Sequence, residues 1–488
     1  MSKNKLGLSE RGDEYNFRKK KMKKSIKIII STVVLFVSVI GFDKAYGQKV
    51  MTLDECRQQA VAYNKELKAA ALQNKEAQVN QEVARTAYLP KFGFSSSLMH
   101  RPNMDPISMP GYFLPTADSE EDAMAGNYSG TSDVWKPGTT IDISSITLIN
   151  SGFEITQPVY AGGRIRYSNQ QADAGVEIAN LSLNMKYSEI IEATDKAFWQ
   201  VATVEENILI AVEYIKMLTE LEDQMSAMYE VGLQPASEKL KVTVQKNEAE
   251  LNLLKAKNGL KVAKMYLNQI LGQALETDIK ISHDENTDVQ LINFDGGITQ
   301  AGNKRNELKI LEKQKELSEL DAKITRADYL PTVGVSAQYT SYWLKDLYED
   351  VDFQPMLAAQ VSIPLFQWGQ GKKKMRAAQL KIQQAETDLE NTNELISLEV
   401  MQVKIQVEEA YESIRLAEKN VTEAGESLDE TRASFDVGLN TTAELLSAQA
   451  KWAEAKAQLT QAVANFEVLK TRWKNVTGNL YMPEDKEE

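Results

Sequence analysis

The 488-residue chain has one cysteine, Cys56, and two histidines, His100 and His283. A lone cysteine closes no intramolecular bridge, so disulfides do not hold this fold. Cys56 follows Leu53-Asp54-Glu55, well past the one apolar run, which suits a buried or half-buried helix thiol rather than a lipid-modified cysteine. His283 precedes Asp284-Glu285, yet adjacent residues in a polar turn lack the spaced ligands of a metal site. No glycine-rich phosphate loop follows a strand, and there is no nucleophile elbow; Gly162-Gly163 before Arg164 is a lone corner at a helix start. The many carboxylates are scattered over helical segments, as on a solvated face. These absences argue against an enzyme, a metal centre and a bound cofactor.

Long apolar runs are equally scarce. The longest, Ile28 to Phe42, follows the basic stretch Arg18 to Lys24 and precedes Ala45-Tyr46-Gly47. That order predicts a secretory signal peptide within residues 1–47, read from Met1 or from Met22; an uncleaved anchor helix is the alternative. Nothing else approaches the roughly 20 apolar residues of a membrane helix, so any crossing by the mature chain falls to β-strands. The first 47 residues hold eleven Lys/Arg and four Asp/Glu, and without their +7 the net charge moves from −13 to −20. So acidic a surface argues against nucleic acid and anionic lipid as partners.

The chain does contain a long internal duplication. Ala60 to Phe94 aligns without a gap on Ala301 to Val335, matching Glu66-Leu67-Lys68 to Glu307-Leu308-Lys309 and Tyr88-Leu89-Pro90 to Tyr329-Leu330-Pro331. Later matches share an offset of 206: Pro158 with Pro364, Val231-Gly232-Leu233 with Val437-Gly438-Leu439, and Gly272 with Gly478. The first copy therefore carries 35 extra residues between Gly93 and Pro158. A period of some 200 residues means two copies of one large unit rather than a solenoid. The repeats span 48–272 and 301–478, joined by a connecting collar at 273–300 and followed by a short tail at 479–488.

Each copy alternates two textures. Arg164 to Met228 has no proline and one glycine, with apolar residues three, four or seven apart, and Lys372 to Ser434 repeats this; both predict long coiled-coil helices. Ser237 to Leu271 and Ala443 to Val476 return at half that length. Leu67 to Tyr88 and Leu308 to Tyr329 supply the remainder, so one long helix faces two short ones. Period-two alternation marks Ile141 and Ile143, Phe153 and Ile155, Val333 to Tyr339 and Leu357 to Ile363. It predicts strands at about 90–100, 139–160, 332–343 and 355–366, either in a lipid-facing barrel or in a soluble half-buried sheet. Pro90 and Pro331 sit where helix gives way to strand, and Pro158 and Pro364 near the return from strand to helix. The insertion, around Arg101 to Pro137, reads as a long loop.

Two turns, at about 229–236 and 435–442, present Val231-Gly232-Leu233 and Val437-Gly438-Leu439. Each glycine lies just past a long helix, where a positive φ helps the chain reverse. The apolar neighbours fit either a simple stapled turn or a surface that something covers.

The order and duplication of these motifs resemble the TolC-like outer-membrane efflux family. The likeness rests on Leu53-Asp54-Glu55-Cys56 with Asn64-x-Glu66-Leu67, the paired Tyr-Leu-Pro corners, Gln157-Pro158-Val159-Tyr160-x-Gly162-Gly163-Arg164, and the two Val-Gly-Leu tips. It implies a mainly α fold with a membrane β-barrel, in which a duplicated helix–strand–strand–helix hairpin unit forms a homotrimer. Three chains would close a 12-stranded outer-membrane β-barrel in the Gram-negative cell envelope, continued by a periplasmic α-helical coiled-coil tunnel. It further implies that the tips meet a periplasmic adaptor protein, which links the duct to an inner-membrane exporter of RND or ABC type.

In the family an acidic pair one turn apart follows the second tip and narrows the tunnel. Here the first position is Glu444 but the second is Ser447, leaving a single ring of Glu444; in the first copy Glu238, followed by Lys241, is the weaker counterpart. The resemblance thus points to the exit duct of a tripartite efflux pump, with two alternatives. One is the duct of a type I protein secretion system, and the other a non-conducting periplasmic scaffold or adaptor.

Overall fold

The structure, a computed structural model, describes residues 50–102, 105, 107–141, 145–282, 290–345 and 353–480. The expectations for the signal peptide, for His283, for Ile143 and for most of the C-terminal tail fall outside these residues. In chain order the helices are α1 (Leu53–Tyr63), α2 (Lys65–Arg85), α3 (Glu120–Ala125), α4 (Arg164–Glu230), α5 (Ala236–Ile270), α6 (Gly297–Lys304), α7 (Asn306–Ala327), α8 (Gln370–Asp436) and α9 (Thr442–Val476). The strands are β1 (Val50–Met51), β2 (Lys91–Pro102), β3 (Ile107–Met109), β4 (Tyr112–Thr116), β5 (Gly130–Lys136), β6 (Thr139–Ile141), β7 (Ser145–Ala161), β8 (Lys280–Ile281), β9 (Thr332–Lys345) and β10 (Phe353–Ser362).

Both long helices have 67 residues and both return helices 35, and every boundary repeats at the same offset of 206. Neither α4 nor α8 contains a proline to remove an internal hydrogen bond, so each runs on for about 100 Å at 1.5 Å per residue.

The chain divides into two compact units. The first draws on Met1–Ala62, Thr194–Asp288 and Ala417–Ala464. Within it the last part of α4 pairs with α5, where Thr243 and Lys246 both reach Glu222, at 2.6 and 2.9 Å. Exposed or half-exposed polar pairs of this kind contribute little. The apolar residues between helices carry the packing: Leu221, Met225, Val242, Leu428, Phe435, Leu445 and Ala448 form one buried cluster near the turns. At the other end of this unit β1 pairs in parallel with β8. The connecting collar at 273–300 holds the short strand β8, and α6 starts within it at Gly297.

The second unit comprises Tyr63–Ala193, Val289–Leu416 and Asn465–Glu488. Here α2 lies along the first part of α4, through Gln81 to Asp173 at 2.7 Å and Lys186 to Glu66 at 2.9 Å. Helix α7 bridges α4 and α8 through Lys313 to Glu177 at 2.6 Å and Lys315 to Glu386 at 2.8 Å. Val400, Val403, Val407, Ile414 and Phe466 are fully buried there.

The same unit holds a four-stranded antiparallel sheet in the order β10-β9-β7-β2. Its register sorts the side chains into two rows. Phe92 opposes Ile155, Ile155 opposes Ala337 and Ala337 opposes Leu357; one pleat away Phe94, Phe153, Tyr339 and Pro355 align in the same way. On the other face Gly93, Glu154, Gln338 and Met356 align, next to Ser95, Gly152, Thr340 and Gln354. Glu154 accepts a 3.0 Å hydrogen bond from Gln338. Successive residues point to opposite faces, so one face is aromatic and aliphatic and the other mostly polar or small. Among the described residues β2 and β10 are each paired on one side only.

Three sequence expectations need correction. Pro158 is not at the return corner: it lies inside β7, where the register with β9 shifts between Pro158 and Tyr160, because proline has no N–H for the ladder. Pro364, by contrast, lies between the end of β10 at Ser362 and the start of α8 at Gln370, in the return from strand to helix. Ile141 does not belong to the long strand; it pairs with Ile107 in the β3–β6 ribbon. The insertion is not a plain loop, since β3–β6 and β4–β5 are antiparallel ribbons and α3 lies between β4 and β5. Pro90 and Pro331 each immediately precede a strand, where a missing N–H is tolerated.

Candidate docking tips

Each long helix ends in the same hydrogen-bonded reversal. Leu233 N–H donates to Met228 O at 2.8 Å and Gly232 N–H to Tyr229 O at 3.0 Å; Leu439 N–H donates to Ser434 O at 2.8 Å and Gly438 N–H to Phe435 O at 2.9 Å. This double closure requires a left-handed residue after the helix, and Gly232 and Gly438 have φ of 74° and 78°. A Cβ at either glycine would meet nothing within 4 Å, so only the backbone conformation selects glycine.

The reversal leaves Val231 70%, Leu233 73%, Val437 71% and Leu439 79% exposed. The staple that would tuck these four side chains away is therefore not formed. Behind the tips α5 and α9 border a groove of about 730 Å³, lined by Leu240, Lys241, Val244, Leu446, Ser447 and Ala450. The surface is apolar at the tip and mostly apolar in the groove.

The two tips differ in the first turn of the following helix. In the second, Thr441 N–H and Oγ1–H donate to Glu444 Oε2 at 2.7 and 2.9 Å, and Glu444 N–H donates to Thr441 Oγ1 at 3.3 Å. This reciprocal cap satisfies two helix-end donors. The hydrogen bonds from the Thr441 backbone and hydroxyl hold the Glu444 carboxyl below its usual range. In the first, Pro235 takes the cap position and offers no side-chain bond. Glu238 instead accepts from Lys241 Nζ at 2.6 Å and from the Thr442 hydroxyl of the second hairpin, and in that order these lower its pKa. Neither acid is idle: Glu444 secures its own helix, and Glu238 ties the two hairpins together.

Sequence reasoning overlooked Glu222, whose pKa is lowered chiefly by Lys246 and then by Thr243, and Thr442, which is buried next to Met225. No local pattern marks them. Their partners are 21 to 217 residues away and meet them only through helix packing. Among the described residues no three His, Cys, Asp or Glu are placed to hold a metal ion, and no helix is long and apolar enough to cross a membrane.

The family profile described as outer membrane efflux protein matches residues 56–273 and 297–469. The chain is 21% identical over 476 residues to outer membrane protein TolC of Escherichia coli (strain K12), an alignment covering 94% of this chain and 87% of that one. Its fold is similar to that of CusC, with a TM-score of 0.70 at 13% identity over 87% of this chain and 92% of that one. For the CmeC outer membrane channel of Campylobacter jejuni the TM-score is 0.69 at 14% identity, over 89% and 87%. For the MtrE outer membrane channel of Neisseria gonorrhoeae it is 0.65 at 14%, over 88% and 89%. These relatives are channel proteins rather than enzymes. With both copies matched over most of their length, the chain belongs to the outer membrane efflux protein family, and is a Gram-negative outer-membrane protein that extends into the periplasm.

Proposed function

We propose that three copies of this chain form the passive exit duct of a tripartite efflux pump, carrying small molecules across the periplasm and outer membrane. The observation that carries this reading is the four-stranded sheet. Its apolar face is exposed, its other face is polar, and its outer strands β2 and β10 are paired on one side only. Unpaired edges do not persist in hydrocarbon, and four strands are too few to close; copies joined edge to edge, β10 to β2, remove every edge.

A second asymmetry supports a head-to-tail ring. Helix α5 exposes Leu240, Val244, Leu251, Leu254, Val262 and Tyr266, and α8 exposes Leu395, Leu398, Met401 and Ile405. Among the described residues α7 and α9 expose no large apolar side chain. Two different seams on one chain suit a heterologous interface, which closes into a ring. In this assembly the Val-Gly-Leu tips dock a periplasmic adaptor protein, itself bound to an inner-membrane exporter of RND or ABC type. Glu444 from each copy then gathers at the narrow end. The duct of a type I secretion system would use the same surfaces, whereas a non-conducting scaffold would have no need of an apolar outer face on the sheet.

The test is reconstitution in planar bilayers alongside native mass determination. A conducting species at trimer mass is expected. A folded protein that never conducts, or one that keeps its full β content as a monomer, would refute the duct.

A further inference from the structure

The segment that leads from β10 into α8 is unlike its counterpart in the first copy. Gly162-Gly163 turns the first copy's strand into α4, and a Cβ at Gly162 would stand 2.7 Å from Ala327 O. At the matching positions the second copy has Trp368-Gly369, with Trp368 itself in the left-handed region at φ 51°. Its ring is 86% exposed and stands edge-on to Phe366 at 4.9 Å between centroids; Leu365 before them is 90% exposed. A bulky residue in the left-handed region is uncommon and costs energy, so this turn holds an indole outward at some expense.

Immediately beyond, the first turns of α8 carry Lys372, Lys373, Lys374 and Arg376. Cations at a helix N-terminus oppose the helix dipole. Among the described residues Lys372, Lys373 and Arg376 have no ion-pair partner, and Lys374 lies over the Tyr329 ring at 6.0 Å. Arg164 at the start of α4, by contrast, is paired with Asp328 at 3.6 Å. The second corner thus combines outward apolar and aromatic groups with uncompensated positive charge.

Its place in the fold identifies what would cover it. Leu365, Phe366 and Trp368 follow directly on β10, whose apolar face carries the exposed Leu357 and Val361, and they are exposed as well. The lysines begin the helix that leaves the sheet. In an outer-membrane protein whose helices are periplasmic, this corner sits at the level of the periplasmic headgroups. Aromatic side chains collect at that level, and lysines reach phosphate from it.

We propose that this corner binds the headgroups of anionic phospholipids in the periplasmic leaflet, with Phe366 and Trp368 set beside the glycerol-proximal part of the acyl chains and Lys372, Lys373 and Arg376 facing the phosphates. The chain's overall acidity masks this local basic surface. The phosphate ligand is a lipid's rather than free in solution, because free phosphate would leave the adjoining apolar half, Leu365, Phe366 and Trp368, uncovered.

The test uses the full-length protein in bilayers that contain brominated phosphatidylglycerol or brominated phosphatidylcholine. The Trp368 signal is the part of tryptophan quenching that Trp368→Phe removes. Quenching of that signal at least threefold stronger by the brominated phosphatidylglycerol is expected, falling to equality in the triple variant Lys372→Gln, Lys373→Gln, Arg376→Gln. Phe366→Ala should weaken quenching by both lipids. Equal quenching by the two lipids in wild type, or a preference that survives the triple variant, would overturn the proposal. So would a Trp368 signal that neither lipid reaches, which would mean that another copy of the chain covers the corner. Loss of the preference on adding millimolar inorganic phosphate at constant ionic strength would place the ligand in solution and also refute it.

Discussion

Replacing Leu439 at the second tip with serine separates docking from folding. The side chain is 79% exposed, so removing it takes almost nothing from the chain's own packing; surface changes of this kind stay within about 0.5 kcal/mol. Fully burying a leucine is worth about 1.5–3 kcal/mol, and roughly four-fifths of that is still unrealised in the free protein. If an adaptor covers the tip, Leu439→Ser should therefore weaken the complex by about 1–2 kcal/mol, or about five- to thirtyfold per site. Leu233→Ser, from 73% exposure, should have a similar effect, and the two should add because each docks on its own. The assay is crosslinking yield from a photoreactive residue at Gln234 or Asn440, read with efflux-dependent survival and with the amount of folded trimer in the outer membrane. Full efflux and unchanged crosslinking in the double variant would refute docking through the tips. Loss of the trimer itself would reduce Val-Gly-Leu to a turn.

Further outcomes can be checked. Gly438→Val should cost on the order of 1–2 kcal/mol through its positive φ alone, read as faster hydrogen exchange across residues 435–442 with the rest of α8 unchanged. Glu222, Glu238 and Glu444 are all held below the usual carboxylate value of 4.5, so their stabilisation is complete above that value and is lost as the pH falls through their folded values. Exchange at both tips, corrected for intrinsic rates, should be flat from about pH 7 to 5 and rise below about pH 4; a rise on the alkaline side would contradict the assignment. Glu444→Gln should reduce cation selectivity and block by polyvalent cations at unchanged trimer yield, whereas wild-type conductance would leave Glu444 as a helix cap only. Leu251→Lys or Leu398→Lys, each placing a charge in an exposed apolar seam, should lower trimer yield, and normal assembly would exclude that seam from the ring.

The helical framework was legible in one dimension because its causes are local. Proline is absent from α4 and α8, a glycine follows each, and both copies keep the same spacing, so the boundaries of four helices repeat at one offset. The alternation in Phe153 to Thr156 and in Val333 to Tyr339 likewise announced strands, since a half-exposed sheet imposes period two whatever its neighbours. It did not say whether water or lipid meets the apolar face. The register lines up Phe94, Phe153 and Tyr339 on a surface left uncovered, and membership of the outer-membrane family puts lipid against it.

Other features depended on residues far apart in sequence. Pro158 looked like a corner, yet a register shift against β9 accommodates it inside a strand. Asp195 gave no sign of being special, but it is fully buried and gripped by Arg57 at 2.7 and 2.5 Å. Its equivalent in the second copy is Met401, and that of Arg57 is Ile298, both exposed. The helix cap supplied by Asn64 is likewise replaced by Arg305, which turns to Glu307 and Glu399 instead. The sequence by itself determined that one unit is used twice, because helix length and chain reversal are set by neighbouring residues. Only the tertiary structure decided how the two uses differ, because burial and pairing depend on side chains brought together from hundreds of residues apart.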